Sequence, residues 1–405
     1  MNILVISYYF PPYEGVASRR WAKYTKYLTR IDHDVYVICN DFIGPSPWDG
    51  DVEKLEEKVT RIKTIENKKK RFQKSLPVEF VDKIMWKISY LWDKSFGKKT
   101  TLDSSKNCIP SFYNAAKEII HEKSIDIVIA SGGPYEYLAL LPMLKKVANC
   151  KFVLDLRDPF PYEHNSDKLS KIENDFQKQL EHEIIDSVDG VISVYDTIID
   201  KYNYKRGAVI SHALDFEDFD FPKSNGKNSS ALKFVFGGHP YSDSQYFELL
   251  NDFLGDIKEK RDAQADCYIP SNLVSKIDFE SENINFYPYK SVVKDFLKEQ
   301  CEADGVLYIV REKHEIDGNF TTKFYELIMT RKPILYFGPE TKVSRFIEDH
   351  RLGFVVSKDN IPHIINEFLS NIESKKIPEY FDLTPYSFEK EVLKLLDTLK
   401  DIHAE

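Results

Sequence analysis

Short runs of aliphatic and β-branched residues alternate with helical sequence, and they do so in two successive series. This alternation restricts the fold more than any other feature of the chain. The first series comprises Asn2 to Tyr8, Val35 to Cys39, Ile125 to Ala130, Phe152 to Leu156 and Gly190 to Val194. Runs this uniformly apolar suit strands buried on both faces, and helical sequence between them implies parallel pairing through crossover connections. The first connection follows Tyr8 as a Pro/Gly turn and a helix carrying Trp21, Tyr24, Tyr27 and Leu28. A later helix, Ser170 to Asp186, is expected to bury Ile172, Phe176, Leu180 and Ile184.

The pattern breaks at 215–230, acidic at first and then rich in Ser, Asn and Gly, as a linker is. A second series follows: Leu232 to Phe236, Asp266 to Ile269, Ile284 to Phe286, Gly305 to Val310, Pro333 to Phe337 and Phe354 to Val356. The reading is an α/β chain of two doubly wound domains, 1–214 and 231–380, with a C-terminal helical segment over 381–405. In that segment Val392, Leu393, Leu396 and Leu399 mark the apolar face of a helix from Phe388 to Ile402. Doubly wound sheets bind ligands beyond the carboxyl ends of their strands, so a cleft between the domains is the expected site.

Composition narrows the partners. The chain has 405 residues, 42% of them hydrophobic, which is ample for two cores. A net charge of −9 disfavours a general nucleic-acid binder. Cys39, Cys108, Cys150, Cys267 and Cys301 are dispersed, with no zinc-ligand spacing, which reads as a reducing cytoplasm. The apolar start has no cationic leader, and no stretch approaches the roughly eighteen apolar residues of a bilayer span, so neither export nor membrane spanning is expected.

The best chemical signal lies after the strand ending at Val310. A polar loop leads to a helix opening near Thr321, where unpaired N–H groups and the positive dipole end favour an anion. Lys323 falls in the first turn and adds a charge suited to phosphate, while Glu326 shares its face and can accept from a ribose. The alternative is a capped surface helix with an incidental Lys/Glu pair.

Several segments together, Tyr8 to Arg20 (YYFPPYEGVASRR), Ile129 to Leu141, Leu154 to Phe160 (LDLRDPF), Ser187 to Val194 and Thr321 to Leu335 (TTKFYELIMTRKPIL), resemble the family-4 glycosyltransferases of the GT-B fold. That resemblance implies two Rossmann-like domains facing a cleft, with the C-terminal helix packing back toward the first. It also implies retention of configuration, a nucleotide-diphosphate sugar as donor, no cofactor and no bound metal. By match of motif, Thr321, Thr322 and Lys323 would meet the diphosphate and Glu326 the ribose. Gly318 stands where the family usually has a glutamate. The Arg and Lys common after the first strand of the second domain are replaced by Gly237, Gly238 and His239, with Arg311 as the candidate substitute cation. Tyr289 completes the donor side. His212-Ala213 replaces the usual Asn-Gly before the linker.

In the first domain, Glu14 and Gly15 lie between strand and helix, with Val16 expected to crowd a ligand there. Arg19 and Arg20 follow, placed to reach an acceptor phosphate or else solvated. Asp158, at a strand end, is the candidate catalytic carboxylate alongside Glu14; a loop cap is its plainer reading. The glycines of Ser131-Gly132-Gly133-Pro134 would let backbone approach a sugar, and Gly133 is assigned to the acceptor.

One stretch carries a separate signal. Residues 61–100 hold twelve Lys or Arg against four acids, and Val81 to Trp92 sets Ile84, Met85, Ile88 and Leu91 at helical spacing beside Lys83 and Lys87. This suits an anionic membrane surface, or an ordinary helix packed on its own domain. The expected protein is a cytoplasmic glycosyltransferase, peripheral at the inner membrane face, adding sugar to a lipid-linked glycan. A non-catalytic GT-B scaffold subunit and a sugar-nucleotide epimerase remain as alternatives.

Overall fold

The first unit, Met1–Ser211 with Phe388–Glu405, is built on a seven-stranded parallel sheet. Its strands are β1 (Asn2–Ser7), β2 (Asp34–Asn40), β3 (Val59–Ile62), β4 (Ile127–Ser131), β5 (Lys151–Leu156), β6 (Gly190–Ser193) and β7 (Gly207–Val209). They lie in the order β3-β2-β1-β4-β5-β6-β7. The second unit, His212–Ser387, holds a six-stranded parallel sheet. Its strands are β8 (Leu232–Gly237), β9 (Ala263–Ile269), β10 (Ile284–Pro288), β11 (Gly305–Ile309), β12 (Ile334–Phe337) and β13 (Gly353–Val356), in the order β10-β9-β8-β11-β12-β13. Each order runs outward from the unit's first strand, reverses and continues on the other side, which is the doubly wound Rossmann arrangement. The reversal falls between β1 and β4 in one unit and between β8 and β11 in the other.

This computed structural model describes residues 1–13, 15–42, 44, 46–63, 102–160, 169–202, 206–218, 231–238, 245–274, 281–289, 293–310, 320–373 and 381–404. Among them no helix is long and apolar enough to cross a membrane. All five cysteines are free.

The strand residues Ile3 to Ile6, Ile127 to Ala130 and Phe152 to Leu154 are fully buried. In the second unit the alternation of β11 sorts Leu307 to one face of the sheet, with Phe234, Phe236, Leu335 and Phe337, and Val306 and Tyr308 to the other, with Ile334 and Tyr336. Complete burial of each such side chain contributes about 1.5–3 kcal/mol.

Two helices depart from the expected faces. The Lys171–Ser187 helix begins with a capping box, Ser170 Oγ accepting from Glu173 N while the Glu173 carboxylate accepts from Ser170 N. It buries Leu180 and Ile184 as expected but presents Ile172 at 68% exposure and turns Gln177 and Glu181 inward. The Phe388–His403 helix buries Val392, Leu395, Leu396, Leu399 and Ile402, while Leu393 faces out at 45% exposure. It packs on the Val16–Arg30 helix of the first unit, where Phe388 meets Tyr24 edge-on at 5.2 Å and stacks on Tyr27 at 5.9 Å. Such aromatic pairs add about 0.5–1.5 kcal/mol beyond area burial.

The division at Ser211/His212 differs from the expected linker start at residue 215. Asp215 is fully buried, Phe216–Asp218 form one 3-10 turn, and Leu214 bridges to Ser387 within the second unit. Buried Leu214 supplies the apolar anchor that a free linker lacks. The rest of the expected linker, 219–230, lies outside the described residues.

Candidate functional site

In the second unit the site grows from the Thr322–Met329 helix. Thr321 is its N-cap, in extended conformation, and its Oγ1 accepts from Phe324 N. This satisfies one of the orphan donors of the first turn. The backbone N–H groups of Thr322 and Lys323 have no hydrogen-bond partner among the described residues. Tyr308, on β11, brings its hydroxyl to 3.2 Å from Thr321 Oγ1, tying the cap to the strand beside the reversal point.

Lys323 is half-buried as a residue, yet its amine is enclosed. Its Nζ lies 3.9 Å from the centroid of the Phe236 ring and 5.5 Å from that of Tyr308. Phe236 is on β8 and Tyr308 on β11, so the amine sits over the ends of the two strands between which the sheet order reverses. A Cβ on Gly238 would stand 2.9 Å from Nζ, so the glycine leaves the space that the amine uses. Among the described residues no carboxylate or hydrogen-bond acceptor pairs with that amine. Desolvation by burial pulls its pKa down to about 7, resisted only in part by the Glu326 carboxylate. An amine beside a helix N-terminus, with no hydrogen-bond acceptor among the described residues, is an arrangement that an anion would complete.

The remaining donor-side residues fare differently. Gly237 has a packing reason to be glycine, because a Cβ there would overlap the Phe296 ring. Its successor Gly238 spends its N–H on Tyr268 O, at 3.1 Å. Tyr289 is 48% exposed just beyond β10, near the stacked Tyr268/Tyr287 pair. Glu326 is half-buried on the helix that carries Lys323. His239, Arg311 and Gly318 lie outside the described residues, as do Glu14 and residues 64–100 of the basic stretch. Arg61, at the start of that stretch, is held locally: its guanidinium donates to the Glu56 carboxylate and to Pro11 O.

The first unit presents a different picture at its own reversal point. Fully buried Tyr137 donates its hydroxyl to Ile6 O on β1 and to Ser131 O on β4, so a ring closes the space between those strands. Arg20 is buried and paired with Asp155 on β5, Nη2 to Oδ1 at 2.9 Å. Asp155 also accepts from Trp21 Nε1 at 2.8 Å and from Ser131 Oγ at 2.9 Å. Burial works against the Arg20 charge, but Asp155, Tyr24 and Glu391 together outweigh it and hold the guanidinium pKa above its ordinary value. Arg20 further donates to Ile210 O and Ser211 O, and Arg19 lies over the Phe388 ring at 5.4 Å while only 5% exposed. Neither arginine is the outward cation expected at an acceptor phosphate, because the C-terminal helix and Asp155 take them into the core.

The loop after β4 is held by Arg157, which donates to the carbonyls of Gly132, Gly133 and Ala17. Gly133 has φ +78, a left-handed conformation that favours glycine. Asp158 is exposed, and its backbone carbonyl accepts from Tyr135 Oη at 3.1 Å. Gly15 caps the Val16–Arg30 helix beneath the Tyr13 ring, and Val16 stands exposed to solvent.

The roles of Phe236 and Tyr308 beside Lys323 escaped the sequence reading. Both aromatics sit in strands, where an aromatic reads as core, and nothing in the spacing links residue 236 to residue 323.

No family model matches the chain, and no curated protein matches it by sequence. Solved structures do match in fold over nearly the whole length. A glycosyltransferase from Rickettsia africae is 15% identical, with 99% of this chain and 98% of that one covered and a TM-score of 0.60. Sucrose-phosphate synthase from Thermosynechococcus elongatus is 11% identical, with 100% and 99% covered and a TM-score of 0.63. TarM is 11% identical, with 98% of each chain covered and a TM-score of 0.56. Likeness at this identity establishes the fold: two Rossmann-like sheets of the GT-B type.

Proposed function

We propose that the chain is a glycosyltransferase that takes a sugar from a nucleotide-diphosphate donor and passes it, with retention, to a glycan acceptor. The observation that carries this reading is the Lys323 amine, set at the Thr322–Met329 helix N-terminus with no ion pair or hydrogen-bond acceptor among the described residues. When the donor's glycosidic bond breaks, negative charge grows on the diphosphate. A fixed amine and oriented N–H groups stabilise that charge more than they stabilise the intact donor. Glu326, one helical turn from Lys323, is the group proposed to accept from the ribose hydroxyls. Tyr289 and residues 239, 311 and 318 would complete the donor side. The solved glycosyltransferases of the same fold support this assignment.

For the first unit the reading places acceptor recognition at the Gly132-Gly133 loop, Gly15 and Asp158, with Asp158 and Glu14 as candidate catalytic carboxylates. A lipid-linked acceptor, with residues 61–100 against an anionic membrane, is the finer form of the proposal. Since the amine and helix terminus neutralise the leaving group, transfer should persist after EDTA treatment. Titration calorimetry of the whole chain with UDP, GDP and TDP tests the reading: at least one should bind, and Lys323→Met should weaken that binding roughly 30- to 100-fold, the loss of a charged hydrogen bond. Failure of all three to bind removes the proposal.

A further inference from the structure

Resting on the donor reading, we infer that Phe236 and Tyr308 are positioning residues that hold the Lys323 amine unpaired at the β8/β11 reversal point, and that diphosphate binding there takes up a proton. Three observations carry this. The amine touches two aromatic faces, 3.9 and 5.5 Å from their centroids, in place of a carboxylate. The glycine at 238 leaves Nζ the space beside β8. The Thr322 and Lys323 backbone N–H groups of the same helix have no acceptor among the described residues. An aromatic face attracts a cation but does not hydrogen-bond it, so this cradle fixes the amine in place and leaves its donors for a ligand.

Among the described residues the groups facing the amine are few. On β9 there is Cys267, whose thiol burial holds in its neutral form by pushing the pKa well above the ordinary range. On β11 there is Tyr308, and on the amine's own helix Glu326. β8 contributes Phe236 and Gly237, and Gly238 follows it; none of them is ionisable. The empty site therefore favours the neutral amine near and above pH 7, whereas a bound diphosphate favours the ammonium. Binding and protonation then assist each other.

The test is calorimetry of the full chain at pH 8, with whichever of UDP, GDP or TDP binds, in three buffers of different ionisation enthalpy. Wild type should take up about 0.9 proton per diphosphate bound, the neutral fraction of a group titrating one unit below the working pH. Lys323→Met should bind weakly and take up none. Phe236→Leu should let the amine reach water and be charged before binding, so uptake should fall toward zero and affinity drop roughly three- to tenfold. Phe236→Tyr should restore both. Because Phe236 lies in the core, Tyr308→Phe serves as the second variant. It keeps the ring and removes the hydroxyl that meets Thr321 Oγ1, so it should retain proton uptake while binding several-fold more weakly. Diphosphate binding without proton uptake in wild type overturns the inference and leaves the donor reading standing. So does Phe236→Leu with unchanged uptake. Absence of binding by every diphosphate removes the donor reading and the inference with it.

Discussion

Each unit buries a cation close to the point where its strand order reverses, and the two cations are treated in opposite ways. Arg20 is met by the Asp155 carboxylate, which Trp21 and Ser131 also hold, and its pKa is raised. Lys323 is met by two rings, and its pKa is pulled down to about 7. Topology is shared, so it does not decide the difference. What decides it is whether the counter-charge is part of the chain. A paired buried charge is a structural part whose loss breaks the fold. A buried charge without a hydrogen-bonded partner destabilises the free protein, and the proposed ligand supplies the missing partner.

The largest expected contrast is therefore in stability. Asp155→Asn leaves Arg20 buried without its carboxylate and should destabilise the first unit by about 3–5 kcal/mol. All four tryptophans precede residue 211, so their fluorescence during urea denaturation reports on that unit. Lys323→Met should leave the unfolding of the second unit, followed by circular dichroism, unchanged or stabilised by about 1 kcal/mol, since a desolvated amine gives way to an apolar chain of similar length. If Lys323→Met were as damaging as Asp155→Asn, the distinction between a structural and a ligand-directed charge would be lost.

A second, smaller effect depends on pH. The folded pKa of Lys323 lies near 7, below that of an ordinary lysine. From about pH 7 upward the unfolded chain keeps a proton that the folded chain releases. Stability then rises with pH in that window, and the full penalty applies below it. The contribution is at most about 1.4 kcal/mol per pH unit. Measured as wild type minus Lys323→Met between pH 6.5 and pH 9, the difference should grow steadily in favour of wild type. A flat difference would show that the amine is not enclosed.

Much of this architecture was legible in the sequence because burial on both faces writes itself as uninterrupted apolar runs. The central strands Asn2–Ser7, Ile127–Ser131, Lys151–Leu156 and Gly305–Ile309 announce themselves in this way, whereas Ala263–Ile269, broken by Gln264 and Asp266, was legible only in its second half. The edge strands Val59–Ile62 and Gly207–Val209 did not, being short and only half-buried. Helix faces were read with an error of one position, as at Leu393 and Leu395, because exposed leucines carry no mark of their own. The helix opening at Thr321 was legible from its capping residue and following apolar spacing. The roles of Arg19, Arg20 and Phe236 were not, since each depends on a partner far away in the chain: Phe388, Asp155 and Lys323.

The smallest expected effect gives the closest test of the comparison, because it separates two glycines. Gly133 has φ +78, so Gly133→Ala meets backbone strain of about 1–2 kcal/mol in the first unit. It should lower stability there and leave nucleotide binding untouched. Gly238 has no such constraint, and a Cβ would meet only the far end of Lys323, 2.9 Å away, and the edge of the Phe236 ring, 3.1 Å away. A flexible side chain can retreat from such a contact, so Gly238→Ala should change stability by no more than about 0.5 kcal/mol. The retreat displaces the amine from its place, however, and diphosphate affinity should fall roughly three- to tenfold for want of a well-aligned charged donor. Calorimetry of the two alanine variants side by side distinguishes a glycine kept for its backbone from one kept for the amine beside it. Binding that survives Gly238→Ala unchanged would mean that the anion is held by the helix terminus alone.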